Sequence, residues 1–255
     1  MIKTINYFFQ SLFIYLFFFI GRIIGINLSR KIFAFLFYKI GPLFKSNKII
    51  IKNLNIFSQN ISDTTIKKIT SDMWKNYGMT FIEYIYLDFF KETSQVQISG
   101  ENNLEKSINE DKPIIFISGH FANFELMSME ITKRNIKLAT IYRPLNNFFL
   151  NPFMKYLRKK YVCKNQIKKG INGVRETIEY IKKKYSIALM VDQRVSEGKK
   201  VDFFGQAAFT TTLPAQLAIK YNLVIIPVFI MRTKNNKFTI EFQKEINPEN
   251  FKNKL

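Results

Sequence analysis

The chain has one cysteine, Cys163, and one histidine, His120. A lone cysteine excludes an intramolecular disulfide framework, and the two residues together are too few for a His/Cys zinc site. Neither a G-x-x-x-x-G-K-[ST] nor a G-x-G-x-x-G pattern occurs, so no nucleotide-cradling loop is signalled. No alanine precedes Ala34, which leaves the apolar N-terminus without the small-residue cleavage site of a signal peptide. Acid is missing from two long stretches. Residues 1–62 carry eight Lys and Arg, residues 131–175 carry twelve, and neither stretch holds an Asp or Glu. No internal repeat or low-complexity linker interrupts the chain.

What is present is a globular composition. An apolar fraction of 47% with 16% aromatics excludes intrinsic disorder, and 255 residues are ample for a buried core. The formal net charge is +20. The bases of the two acid-free stretches equal that excess, and the remainder is balanced. Two basic surfaces are therefore expected, facing an anionic partner such as a membrane surface, a phosphorylated lipid, an acidic protein or nucleic acid.

Residues 4–21 carry no charge and are rich in Phe, Ile and Leu, flanked by Lys3 and Arg22. As a helix they reach about 27 Å, close to the roughly 30 Å hydrocarbon core of a bilayer, with Arg22 able to reach the headgroups. Residues 32–44 form a second apolar segment bordered by Arg30, Lys31, Lys39 and Lys45, which suits an interfacial helix. The pattern predicts a membrane anchor over residues 1–45 and a separate α/β domain over residues 46–255. The bland alternative is a pair of core helices.

Residues 63–91 read as one long helix, with Asp63 as its N-cap and Trp74, Tyr77, Phe81, Ile85 and Asp88 marking its turns. Beyond it, strand-like runs at residues 113–118, 138–142, 187–191 and 224–230 alternate with helical patterns at 121–134, 148–160, 171–184 and 212–221. Residues 237–243 alternate and suit an edge strand. This predicts an α/β fold with a central, mostly parallel sheet flanked by helices.

His120 is the only side chain whose ordinary pKa lies near neutrality. It follows the strand 113–118 through Ser118 and Gly119 and precedes a helix, and ligands of open α/β sheets gather at such strand ends. Glu125 follows five residues later. Within one helix the two would lie about 140° apart, but they can meet if His120 sits in the turn and Glu125 on the first helical turn. Glu125 would then accept from one ring nitrogen and leave the other as a base. A buried histidine bound to a nearby carbonyl is the structural alternative.

The segments GHFANFE (119–125), YRPLNN (142–147), VDQR (191–194), VDFFGQAAFTTTLPAQLA (201–218) and IIPVFIMR (225–232) occur in this order. The series resembles the lipid A biosynthesis acyltransferases, the late lauroyl/myristoyl transferases within the glycerolipid acyltransferase superfamily, over nearly the whole chain. The resemblance implies a membrane-bound O-acyltransferase at the cytoplasmic face of a bacterial inner membrane. Its acyl donor is carried on the phosphopantetheine of acyl carrier protein, with no further cofactor or metal. Its acceptor is a hydroxyl of a phosphorylated lipid A precursor, and no nucleic acid is involved. It implies His120 and Glu125 as the catalytic pair, and Arg143, Asp192, Gln193 and Arg194 as substrate-binding residues. Phe203, Phe204 and Gly205 match a further block that leads to a helix start near Pro214. The family usually continues into a Pro-Glu-Gln-Trp element and an Arg-rich tail. Here the sequence stops at Leu255, just after INPENF, which suggests a truncated or minimal version.

Other assignments of these residues stay open from sequence. Asp192 could cap a turn or pair with Arg194, and residues 203–205 could form an apolar wall. The aromatic-interleaved bases of 148–169 suit an acidic carrier, an anionic lipid or nucleic acid. The alternative functions are a lysophospholipid-type acyltransferase and a non-catalytic membrane-associated binding protein.

Overall fold

A computed structural model describes residues 2–44, 47–58, 60–109, 112–196 and 198–250. Lys45, the last residue of the INPENF segment (Phe251) and Leu255 lie outside the described residues. The chain divides into two compact units, Met1–Tyr86 with Lys200–Ala208, and Leu87–Lys199 with Phe209–Leu255. The boundary expected at residue 45 falls inside the first unit.

The first unit contains helices α1 (Ile2–Ile24), α2 (Ile26–Phe44), α3 (Asn47–Phe57) and α4 (Asp63–Glu83), then a 3₁₀ turn at Tyr84–Tyr86. Helix α1 is long and apolar enough, by length and composition, to cross a membrane. Its C-terminal base, Arg22, is exposed, donates to the Ile85 carbonyl at 3.0 Å and lies over the Tyr86 ring. Ser62, not Asp63, caps α4, its hydroxyl accepting from the Thr65 N–H at 3.3 Å. The helix expected over 63–91 is interrupted after Glu83 by the 3₁₀ turn, and the short α5 (Leu87–Glu92) follows.

Helices α2 and α4 pack closely for two reasons. At Gly78 of α4, a Cβ would sit 2.1 Å from the Phe33 carbonyl oxygen of α2, so the absent side chain sets the approach. Near one end, Arg30 of α2 donates from Nε to Glu83 of α4 at 2.7 Å, with the carboxylate fully buried. Removing one partner of such a pair strands a charge and costs about 3–5 kcal/mol.

The second unit is built on a seven-stranded sheet. After α5 come β1 (Val96–Ser99), α6 (Asn102–Asn109), β2 (Ile115–Ser118), α7 (Glu125–Lys133), β3 (Leu138–Tyr142), α8 (Asn151–Leu157), β4 (Asn165–Lys168), α9 (Ile171–Lys182) and β5 (Ser186–Met190). A separate hairpin, β6 (Lys199–Phe203) and β7 (Gln206–Thr210), follows, then α10 (Leu213–Tyr221), β8 (Ile225–Arg232) and β9 (Phe238–Phe242). The strand order is β1-β9-β8-β2-β5-β3-β4, parallel except for the β8–β9 pair. Strands β2 and β5 are buried nearly throughout, as central parallel strands covered on both faces must be. Ile115, Ile187, Leu189 and Ile225 of the sheet pack with Ile181 of α9 and Leu217 of α10 on one face.

The α/β class and its mostly parallel central sheet are as the alternating pattern predicts. One placement differs. Strand β9 lies between β1 and β8, whereas its alternation suggested an edge. Its buried Phe238, Ile240 and Phe242 report one covered face, and a covered face says nothing about lateral neighbours.

Substitution Gly78→Ala should destabilise the first unit by about 1–3 kcal/mol, since the methyl group can enter only if α2 and α4 move apart. Thermal unfolding in detergent measures this, and an unchanged transition would show that the close contact carries no load.

Candidate active site

Strands β2 and β5 pair in parallel with Ser118 opposite Met190. The Val191 N–H extends the ladder, donating to the Ser118 carbonyl at 2.9 Å. His120 and Asp192 therefore leave neighbouring strands at the same level, each two residues past a paired position. Asp192 takes hold of the histidine at two points. One carboxylate oxygen accepts from the His120 backbone N–H at 2.9 Å, and the other lies 2.7 Å from the ring Nδ1. The Phe124 ring meets the imidazole edge-on at a centroid distance of 4.7 Å.

This geometry selects a tautomer. Partial burial pushes the Asp192 carboxyl up, but hydrogen bonds from the His120 ring and backbone, with the attraction of an imidazolium, outweigh it and hold the group below the usual carboxylate range. An ionised carboxylate only accepts, so Nδ1 carries the proton of that bond. In the neutral ring Nε2 then carries the lone pair and can act as a base.

Glu125 is the first residue of α7 and His120 lies in the turn before that helix, the arrangement the spacing required. The Nδ1 partner is nevertheless Asp192, and Glu125 is engaged elsewhere. Its Oε1 accepts from both Nε and Nη2 of Arg158, each at 2.7 Å, and both side chains are largely buried. Arg158 opens a π-helical turn, Arg158–Val162, that continues α8, and its guanidinium lies 6.0 Å from the Tyr142 ring centroid. Sequence reasoning missed Arg158. The only available signal was a base amid aromatics in an acid-free stretch, and that does not single it out from its lysine neighbours.

The left-handed residue of the turn at His120 is Ala122, at φ 43°, while the space a Gly119 Cβ would need is filled by the Phe121 ring. Phe121 in turn stacks on Phe229 of β8 at 5.4 Å.

The remaining sequence candidates divide. Arg143 follows the last residue of β3, beside β5, so it emerges at the same edge of the sheet as His120 and Asp192, and it is exposed. Gln193 and Arg194 continue the loop after Asp192 and are also exposed. The Arg194 guanidinium sits 5.1 Å from the Phe209 ring centroid, a structural perch for part of its side chain. Phe203, Phe204 and Gly205 belong to the hairpin tip, within the first unit. Cys163 is buried, and burial pushes its thiol up, which makes it a poor nucleophile.

The arrangement can remove a proton from a hydroxyl with a neutral imidazole and stabilise the resulting imidazolium with a fixed carboxylate. A model of the family described as bacterial lipid A biosynthesis acyltransferase matches residues 2–252. No curated protein matches the chain.

The Asp192 carboxyl keeps its charge to lower pH in the folded chain than in the unfolded one. Its contribution to stability is therefore complete above the ordinary carboxylate pKa of about 4, and fades as pH falls through the lowered folded value. The two side chains are 32% and 38% exposed, so screening holds the effect to about 1 kcal/mol or less. Thermal unfolding of Asp192→Asn should thus fall below wild type at neutral pH and converge on it in acid. A gap that widens in acid would contradict the assignment.

Proposed function

Because the chain belongs to the bacterial lipid A biosynthesis acyltransferases, we propose that it transfers an acyl chain from acyl carrier protein to a hydroxyl of a phosphorylated lipid A precursor, with His120 as general base. The observation that carries this reading is the Asp192–His120 bond, which leaves Nε2 free to accept. Nε2 takes the hydroxyl proton as the oxygen attacks the thioester carbonyl. The tetrahedral intermediate collapses with cleavage of the C–S bond, and the imidazolium returns the proton to the departing thiolate. No acyl-enzyme is formed, and no cofactor beyond the carrier's phosphopantetheine is required.

Asp192 orients the ring and offsets the transient positive charge. Glu125, the expected partner of His120, acts in this proposal through Arg158, fixing that guanidinium beside the start of α7. Arg143, Gln193 and Arg194 bind substrate, where guanidinium forks suit phosphate groups. Backbone N–H groups near the start of α7, or Arg143, supply the oxyanion donors, a contribution of about 3 kcal/mol per donor.

The exposed Lys155, Lys159, Lys160, Lys164, Lys168 and Lys169 offer a face to an acidic carrier protein. Helix α1 supports residence in the inner membrane, and the bases near its ends favour a catalytic body on the cytoplasmic side.

The test is lipid mass spectrometry of cells lacking their own late lipid A acyltransferase. The chain should add one acyl group to lipid A. His120→Ala should lower that activity by at least about a hundredfold while its unfolding transition stays in place. Turnover retained in His120→Ala would end the mechanism, and a change confined to phospholipids would end the acceptor assignment.

A further inference from the structure

The tip of the β6–β7 hairpin is built against local preference. Its two-residue turn, Phe204–Gly205, has both residues left-handed, at φ 53° and 72°, the geometry of a type I′ turn. Asn, Asp or Gly is the usual first residue there, and a bulky residue in that region is uncommon and strained. The phenyl ring gains little burial in return. Phe203 is 63% exposed and Phe204 is 52% exposed. Their ring neighbours are each other, at 4.7 Å, and for Phe204 also Phe57 of α3, at 5.3 Å and itself exposed.

Next to this aromatic cluster lies an open groove of about 600 Å³ within the first unit. Its lining sets Lys48 and Lys52 of α3, with Asn55 and Gln206, beside Ile51, Ile56 and Phe204. Cation, amide and apolar wall thus occur side by side. Asp202, on the tip, helps to close the turn by accepting from the Gly205 N–H at 3.3 Å. The same unit contains α1, the helix apolar enough to span a membrane, and both α1 and α2 expose many large apolar side chains.

We infer that α3 and the hairpin tip form a second membrane contact, separate from α1, in which Phe203 and Phe204 enter the acyl layer and Lys48 and Lys52 hold the phosphate of an anionic bilayer lipid. The occupant follows from the chemistry. Exposed aromatics beside paired lysines fit the boundary between acyl chains and phosphate headgroups. The strained phenylalanine is retained because its ring is needed outside the protein. The inference is independent of the acyl-transfer reading, since its test measures no turnover.

Helix α1 would hold any variant on vesicles, so the depth of the tip is the quantity to measure. Cys163 is buried, which leaves Val201→Cys as the site for an environment-sensitive fluorophore on the full-length chain. In phosphatidylglycerol vesicles the label should brighten and be quenched by spin labels on the lipid acyl chains. Phe204→Asn removes the ring and suits the left-handed turn, so the unfolding transition should hold or rise while the inserted fraction falls about tenfold or more. Lys48→Gln with Lys52→Gln should lower insertion several-fold in phosphatidylglycerol and leave phosphatidylcholine vesicles unaffected. An aqueous, unquenched label on the wild-type tip would overturn the proposal, as would insertion that survives Phe204→Asn. A response to inorganic phosphate without vesicles would also overturn it, by marking a site for soluble anions instead.

Discussion

Parallel pairing of β2 with β5, Ser118 against Met190, sets the level at which two loops leave the sheet, and the chemistry of the second unit depends on that level. A slip of one residue would turn every side chain of a strand to the opposite face. Because both strands are buried on both sides, a slip would also place their flanking polar residues in the core. The same burial that stabilises the sheet therefore fixes Asp192 under His120. No long-range positioning device is needed beyond two residues of loop on each strand. Arg143 joins this edge for the same reason, since β3 is the next parallel neighbour of β5.

Two buried ion pairs show how charges are placed where an apolar contact would not specify a position. Arg30–Glu83 ties α2 to α4 in the first unit, and Arg158–Glu125 ties the end of α8 to the start of α7 in the second. Such pairs add little net stability over a packed apolar contact, but each is costly to break by halves. In both, a helix contributes an arginine whose fork accepts only a narrow range of carboxylate positions. For Arg158 the consequence reaches the site, because its partner begins the helix that follows the histidine turn.

The α/β class was legible because strands β2, β3, β5 and β8 are short apolar runs between helical patterns, and for β2 and β5 burial on both faces writes that signal into sequence. His120 stood out as the single histidine at a strand end. The Asp192 contact was not legible, because 72 residues separate the two and only the strand order makes them neighbours. Glu125 was attractive for the opposite reason, being near in sequence, yet a buried carboxylate facing Arg158 satisfies its charge there. The edge strands β1 and β4 escaped notice because four residues of mixed polarity carry little periodicity. The hairpin tip was matched as a block, but its left-handed phenylalanine is a backbone property that residue type alone argues against.

The +20 charge reads differently once its members are placed. In the first acid-free stretch, Arg30 is neutralised inside its own unit and Arg22 is bound to a carbonyl and a tyrosine ring. In the second, Lys133 and Arg134 pair with Glu130, Arg134 also with Glu101, and Arg158 with Glu125. Arginine thus tends toward internal pairing, as its weakly hydrated fork allows, while most of the exposed bases are lysines. The absence of acid from a stretch of sequence is therefore not the same as a basic surface. Partners come from elsewhere in the chain, and what remains for an outside anion is a lysine population. A lysine surface attracts phosphate and carboxylate as point charges, with less demand on geometry than an arginine fork makes. That suits bilayer headgroups or an acidic protein face, whose charges are spread out, while the exposed forks of Arg143 and Arg194 belong to loops that leave the sheet at the same edge as His120.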